Sequence, residues 1–143
     1  MPVVVKRVYD KAARADGVRV LVDRLWPRGL SKEAAALHGW LRDLAPSTEL
    51  RKWFHARPDT WLTFRKRYMK ELAQPPAARA LEELYRLAGT GKRLTLLFAS
   101  RDTQRNHAIV LRELLEGMRK PPTGTGPLAV GGARVRRRAP IPR

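Results

Sequence analysis

The sequence predicts a small three-layer α/β domain, in which helices flank a central sheet. Two observations lead to this prediction: three short apolar runs typical of strands, and a long stretch between the second and third run with apolar residues at helical spacing. The third run is apolar on both faces, which is typical of a strand covered on both sides. A chain of 143 residues with 43% hydrophobic content suits one domain with a substantial core.

The three predicted strands lie at residues 3–9, 18–22 and 94–99, and the first two are rich in β-branched residues. Only residues 10–17 connect the first two strands, whereas a parallel crossover usually needs about a dozen residues or more. Composition alone therefore favours a hairpin between the first two strands.

Five helices are predicted from apolar spacing and from residues that begin or end helices. The first begins at Ser31 and carries one apolar stripe, formed by Ala34, Leu37, Leu41 and Leu44. A short helix begins near Thr48, and another runs from residues 58–59 to the prolines at 75–76. The remaining two cover residues 77–88 and the segment after the third strand, as far as Met118.

The chain divides into an α/β domain at residues 1–118 and a basic tail at residues 119–143. The tail contains five prolines, four glycines, seven basic residues and no acidic residue, so we expect it to be disordered. Its arginines at positions 134 and 136–138 have two open interpretations. They either keep the chain soluble or contact nucleic acid by displacing counterions from phosphates.

Composition excludes several classes of function. There is no cysteine, so disulfides, a thiolate nucleophile and a thiolate metal site are excluded. The three histidines lack the spacing that holds zinc. No apolar run approaches the roughly 20 residues that span a bilayer, and the N-terminus lacks the apolar stretch of a signal peptide. We expect a cytoplasmic protein without a metal, a cofactor or a membrane partner.

Two polar clusters, residues 23–29 and 100–107, directly follow predicted strands. Ligands of open α/β sheets bind outside the carboxyl ends of the strands, so parallel neighbours would bring both clusters to one edge. The predicted ligand-binding residues are Arg24, Trp26, Arg28, Arg101, Asp102 and Asn106.

These residue types suit an anionic ligand. The three arginines supply planar guanidinium groups that hold phosphate or carboxylate, and the N-terminus of the last helix adds backbone N–H donors. Trp26 offers a flat face to a ring. Asp23 and His107 are the candidate catalytic residues, because a carboxylate orients groups and a histidine carries protons near neutral pH.

Each candidate also has a purely structural interpretation. Asp23 would form an ion pair with a nearby arginine, and Asp102 would cap the last helix. His107 would be a structural histidine with satisfied hydrogen bonds in the first turn of a helix, and Trp26 would belong to the core. Neither cluster matches a phosphate-binding glycine loop, a nucleophile elbow or a zinc signature.

Four segments of the chain resemble the DUF488 family, in its YeaO-like branch. They are KRVYD at 6–10, VLVDRLWPRG at 20–29, APSTELRKWF at 45–54 and LLFASRD at 96–102. The resemblance covers about residues 3–117 and implies a mainly parallel sheet, which overrides the hairpin. It also implies that Asp23 and Pro27-Arg28 match the acidic residue and the Pro-Arg pair that follow the family's second strand.

The resemblance bears on chemistry as well. The broader family tends to have a cysteine near the third strand and a Cys-His pair at the following helix. Ala99, Ser100 and Asn106-His107 occupy that region here, so the thiol is missing. Some members are labelled transcriptional regulators, but this sequence has no helix-turn-helix pattern.

The sequence therefore predicts a protein that binds a phosphate-bearing or other anionic small molecule at the carboxyl edge of its sheet. No nucleophile is identifiable, so enzymatic activity is left open. The formal net charge of +17 favours one alternative, a nucleic-acid-associated protein that uses its basic surface and tail. A third interpretation is an interaction module without chemistry.

Overall fold

A computed structural model describes residues 3–117, in which a four-stranded parallel sheet forms the centre of the fold. The strands are β1 (Val3–Arg7), β2 (Val18–Leu21), β3 (Gly39–Trp40) and β4 (Leu94–Phe98). Their order is β1-β4-β2-β3, and every neighbouring pair is parallel. The α/β class and the parallel sheet are confirmed. The hairpin favoured by composition is wrong, because β4 lies between β1 and β2.

Five α-helices accompany the sheet within the described residues. They are α1 (Lys32–Ala35), α2 (Thr48–Ala56), α3 (Trp61–Leu72), α4 (Ala77–Ala88) and α5 (His107–Glu116). Ser31, Ser47 and Asn106 each cap a helix by accepting a backbone N–H through the side chain. No helix in residues 3–117 has the length and apolar character needed to cross a bilayer. The predicted tail lies outside the described residues.

Side chains of the strands alternate between two hydrophobic clusters, one on each face of the sheet. Val20, Leu96 and Phe98 belong to the larger cluster, which also contains most of the buried residues of α2 to α5. Leu21 and Leu97 belong to the smaller cluster, which is covered by side chains from the segment between β2 and β3. The sheet is therefore the middle of three layers, and all five residues of β4 are buried.

The helix predicted from Ser31 to Leu44 is wrong beyond α1. The chain leaves the helix at Ala36, which has a left-handed backbone with φ of 48°, and then forms β3 against β2. Leu37 packs on the smaller hydrophobic cluster, whereas Leu41 and Leu44 pack on the larger one. These leucines lie on opposite faces of the sheet, so no single helix stripe can hold them all.

A buried group of charges, here called the Asp16 cluster, joins Lys6, Asp16 and Arg19. Arg19 is 2% exposed, and its Nη1 lies 2.5 Å from Asp16 Oδ2 while its Nη2 donates to Ala35 O at 2.7 Å. Lys6 Nζ lies 3.1 Å from the same carboxylate. Burial raises the pKa of Asp16, but hydrogen bonds from Ala13 N–H, Lys6 and Arg19 outweigh it and hold that pKa below its ordinary value.

Gly17 follows the Asp16 cluster and lets β2 begin beside β4. Its φ is 66°, and a Cβ at this position would lie 2.4 Å from Arg93 O. The next residue, Val18, donates its N–H to that same carbonyl at 2.8 Å. Only a residue without a side chain fits this close approach.

Candidate functional site

A cleft of about 720 Å³ lies where the segments that follow β2 and β4 meet, with one side of α2 and the loop before it as a further wall. The structure brings all eight predicted site residues to this main cleft. They are Asp23, Arg24, Trp26, Arg28, Arg101, Asp102, Asn106 and His107. Their assignment as catalytic or ligand-binding residues stays a prediction.

Asp23 and His107 lie together in the main cleft and are both largely buried. Asp23 Oδ2 accepts the N–H of Ala99 at 2.9 Å, which ties the end of β2 to the end of β4. The expected ion pair between Asp23 and an arginine is not formed among the described residues. Instead, His107 Nε2 lies 3.0 Å from both Asp23 Oδ1 and Val22 O, and its hydrogen bond goes to Val22 O.

The hydrogen bond to Val22 O fixes the tautomer of a neutral His107. A carbonyl oxygen only accepts, so Nε2 carries the proton. The second ring nitrogen, Nδ1, has no hydrogen-bond partner among residues 3–117. It is therefore the nitrogen with capacity left to accept a proton or a hydrogen bond.

Tyr68 supports the His107 ring from the core side. The two rings meet edge to face with centroids 6.1 Å apart, and the Tyr68 hydroxyl donates to Leu44 O. Burial raises the pKa of Tyr68 well above its ordinary value, and the charges of Glu71 and Asp23 raise it further. Tyr68 therefore stays protonated and acts as a fixed donor.

The N-terminus of α5 is capped by Asn106 and not by Asp102. Asn106 Oδ1 accepts the N–H of Ile109 at 3.1 Å, and its Nδ2 donates to Asp102 O at 2.7 Å. Asp102 Oδ1 accepts the N–H groups of Gln104 and Arg105, both at 2.9 Å. Both residues thus shape the loop between β4 and α5, and the cap occupies a backbone donor that was predicted for an anion.

Trp26 belongs both to the smaller hydrophobic cluster and to the wall of the main cleft. Its Nε1 donates to Leu30 O at 2.7 Å, and its ring meets Trp40 edge to face at 5.5 Å. Trp40 Nε1 in turn donates to Asp23 O at 2.7 Å. The two tryptophans therefore hold the loop after β2 in place.

Among the described residues, five arginines and two aspartates line the main cleft. Arg24 Nη2 donates to Ala45 O at 3.2 Å. The guanidinium groups of Arg28 and Arg101 have no hydrogen-bond or ion-pair partner within the described part of the chain, although Tyr9 fixes the backbone of Arg28 by donating to its carbonyl at 2.9 Å. Arg51 and Arg105 also line the cleft and were not predicted.

A smaller cavity of about 420 Å³, here called the side pocket, is lined by Arg7, Tyr9, Arg28, Ala99 and Arg101. All of these except Arg7 also line the main cleft, so the two spaces adjoin. Arg7, the last residue of β1, was missed by sequence reasoning. Its place at the carboxyl end of a strand is the signal that would have found it.

Aromatic side chains form the apolar wall of the main cleft. Phe54 of α2 stacks on Phe64 of α3 with ring centroids 4.5 Å apart, and both line the cleft. Pro46 and Pro58 extend this wall. The site therefore combines cationic and flat apolar surfaces. Within residues 3–117, no group of three or more histidine or acidic side chains is placed to hold a metal ion.

Comparison with known proteins decides the family. The sequence model of the inactive DUF488-N3 subclade matches residues 2–123. The chain belongs to the DUF488 family. The YeaO-like resemblance of its four segments is confirmed by 48% identity over 115 residues to the uncharacterized protein YeaO of Escherichia coli strain K12. That match covers 79% of this chain and 96% of YeaO.

Other relatives of this DUF488 protein come from mycobacteria. The uncharacterized protein Rv3073c of Mycobacterium tuberculosis strain H37Rv is 44% identical over 113 residues, covering 79% of this chain and 92% of the relative. The uncharacterized protein Mb3100c of Mycobacterium bovis matches to the same extent. No solved structure matches the chain significantly.

Proposed function

We propose that this DUF488 protein binds an anionic small ligand in the main cleft through Arg28 and Arg101. One observation carries the proposal: both guanidinium groups line the same cleft, and neither has a partner among the described residues. Guanidinium groups bind phosphate and carboxylate with paired hydrogen bonds. An anion in the cleft would complete contacts that the described residues leave unmade.

We propose that the protein binds this ligand and does not catalyse a reaction on it. The matching subclade is described as inactive, and the chain contains no cysteine. Both candidate catalytic residues already use one side-chain atom in a hydrogen bond to the backbone. Asp23 Oδ2 accepts the N–H of Ala99, and His107 Nε2 donates to Val22 O. In this proposal His107 offers only Nδ1 to a ligand, and Asp23 positions the site.

Titration with inorganic phosphate and with pyrophosphate tests the proposal by calorimetry. We expect Arg28→Ala and Arg101→Ala each to weaken binding by roughly 10- to 100-fold, the range for a lost charge-assisted hydrogen bond. Arg79→Ala is the matched control, because it removes the same charge from an exposed position on α4 outside the cleft. This control should bind like the wild type.

The same titration distinguishes cleft binding from general attraction to the charge of the chain. If Arg79→Ala weakens binding as much as Arg28→Ala, or if the wild type binds neither anion at millimolar concentration, the cleft proposal fails.

Nucleic-acid association is the second candidate, favoured by the net charge of +17. It would be supported by duplex binding whose affinity falls steeply with salt and is lowered equally by all three substitutions.

A further inference from the structure

We infer that the side pocket holds the phosphate group of a phosphate monoester, whose apolar ring-bearing body lies in the main cleft. This inference rests on the proposed function and names the class of ligand. It assigns the anionic part to Arg7, Arg28 and Arg101 together, although sequence reasoning selected only two of them.

The side pocket concentrates positive charge without compensation. Its three arginines come from the end of β1, the loop after β2 and the loop after β4, and none of the acidic residues within 3–117 lines the cavity. Guanidinium groups stay charged at any physiological pH, so the three repel one another when no anion is present. A bound anion removes this repulsion, whereas a purely structural cluster would contain a carboxylate.

Arg7 is held in place by two carbonyl groups and an aromatic ring. Its Nε donates to Ser100 O at 3.0 Å, its Nη2 donates to Ala99 O at 3.1 Å, and its guanidinium lies 5.2 Å from the centroid of the Tyr9 ring. These contacts use two of its five N–H donors and fix its plane. A guanidinium fixed in advance loses little freedom when it binds an anion.

Phosphate fits this arrangement better than carboxylate does. A phosphate monoester presents three terminal oxygens, which can each meet a guanidinium group, whereas a carboxylate presents two. Arg28 and Arg101 line both cavities, so an anion held between them lies at the junction of the side pocket and the main cleft. The ester oxygen would then lead the rest of the ligand into the main cleft.

The main cleft accommodates an apolar body. Its volume of about 720 Å³ falls in the usual range for small-molecule sites. The partly exposed ring of Phe54, which stacks on the buried ring of Phe64, forms an apolar wall beside Pro46 and Pro58. Inorganic phosphate would leave this wall exposed to water, whereas an aromatic ester would cover it.

Calorimetric titration with inorganic phosphate, phenyl phosphate and benzoate tests the inference. We expect phenyl phosphate to bind about tenfold tighter than inorganic phosphate, because its ring covers apolar surface, and benzoate to bind more weakly than phenyl phosphate. Arg7→Gln should weaken phosphate and phenyl phosphate by the same factor. Phe54→Leu should weaken only phenyl phosphate, and Arg79→Ala should change neither.

The outcomes separate this inference from the proposed function. If both phosphates bind equally well and both depend on Arg28, the anion site stands and the aromatic body is wrong. If Arg7→Gln leaves phosphate binding unchanged, the side pocket is not the phosphate site. If no anion binds, both proposals fail.

Two further variants test whether Arg7 has only a structural role. Thermal unfolding without ligand should change little in Arg101→Gln, because that side chain has no partner among the described residues. Arg7→Lys should recover part of the phosphate affinity by restoring the charge. If Arg7→Gln fails to fold, Arg7→Lys is titrated in its place, and phosphate affinity equal to that of the wild type overturns the assignment.

Discussion

Arg19 and Arg101 are both close to the central strands, but their surroundings are opposite. Arg19 is 2% exposed and donates to the carboxylate of Asp16 and to the carbonyl of Ala35. Arg101 is exposed, lies among other arginines in the side pocket, and has no partner in the described part of the chain. The fold compensates the cation that it buries and leaves the cations of the side pocket uncompensated. Removing a charge should therefore affect stability in the first region and ligand binding in the second.

The largest loss of unfolding free energy is expected for Asp16→Asn, which removes the charge that compensates Arg19. Loss of one partner from a buried ion pair costs about 3–5 kcal/mol, because the remaining charge stays buried without compensation. Urea unfolding monitored by circular dichroism measures the difference. Arg101→Ala is the contrasting variant and should stay within about 0.5 kcal/mol of the wild type. Equal losses of unfolding free energy in the two variants would contradict the view that the first region stabilises the fold and the second does not.

A smaller difference is expected between two glycine variants, one in each region. Gly17 and Gly29 have similar positive φ values, 66° and 75°. A Cβ at Gly17 would meet a backbone atom, whereas a Cβ at Gly29 would have no atom of the described residues within 4 Å. Gly29→Ala should cost about 1–2 kcal/mol from backbone strain alone. Gly17→Ala should cost about 1–3 kcal/mol more, because the overlap with Arg93 O forces the chain apart.

Thermal or urea unfolding of these two alanine variants gives the comparison directly. Equal destabilisation would mean that the close approach at Gly17 relaxes without cost. In that case the turn before β2 would be as adaptable as the loop that lines the main cleft.

The smallest effect is a pH dependence specific to the Asp16 cluster. Because the folded-state pKa of Asp16 lies below its unfolded value, the unfolded chain binds more protons, and the carboxylate stabilises the fold above the unfolded pKa of about 3.9. The stability difference between wild type and Asp16→Asn should be constant above about pH 5 and shrink as pH falls through the folded pKa. Urea unfolding between pH 3 and pH 7 measures it, and a difference independent of pH would contradict this role of Asp16.

Much of the fold could be predicted because its strongest signals are local. The apolar runs of β1, β2 and β4 and the periodic helices α2 to α5 each reveal themselves within one segment. β3 could not be found, because two residues are too short for a pattern and Leu37, Leu41 and Leu44 imitate a helix stripe. Their spacing does not reveal that the chain crosses from one face of the sheet to the other.

The part of the candidate site that lies at the carboxyl ends of strands could be predicted from the sequence. Residues 23–29 and 100–107 meet because the carboxyl ends of parallel neighbours share one edge. Arg7 was hidden because the apolar run was taken to continue to Tyr9, whereas β1 ends at Arg7. Arg51 and Phe54 reach the cleft from α2, and their position depends on helix packing that the local sequence does not encode.

The shortness of β3 has a consequence for self-association. An exposed sheet edge can recruit a strand from another molecule, and long edge strands are the usual starting point for aggregation. β3 forms one edge of the described sheet and pairs through only two residues, Gly39 and Trp40. A ladder of that length offers too few hydrogen bonds to hold an added strand, so we expect no further strand to pair at this edge.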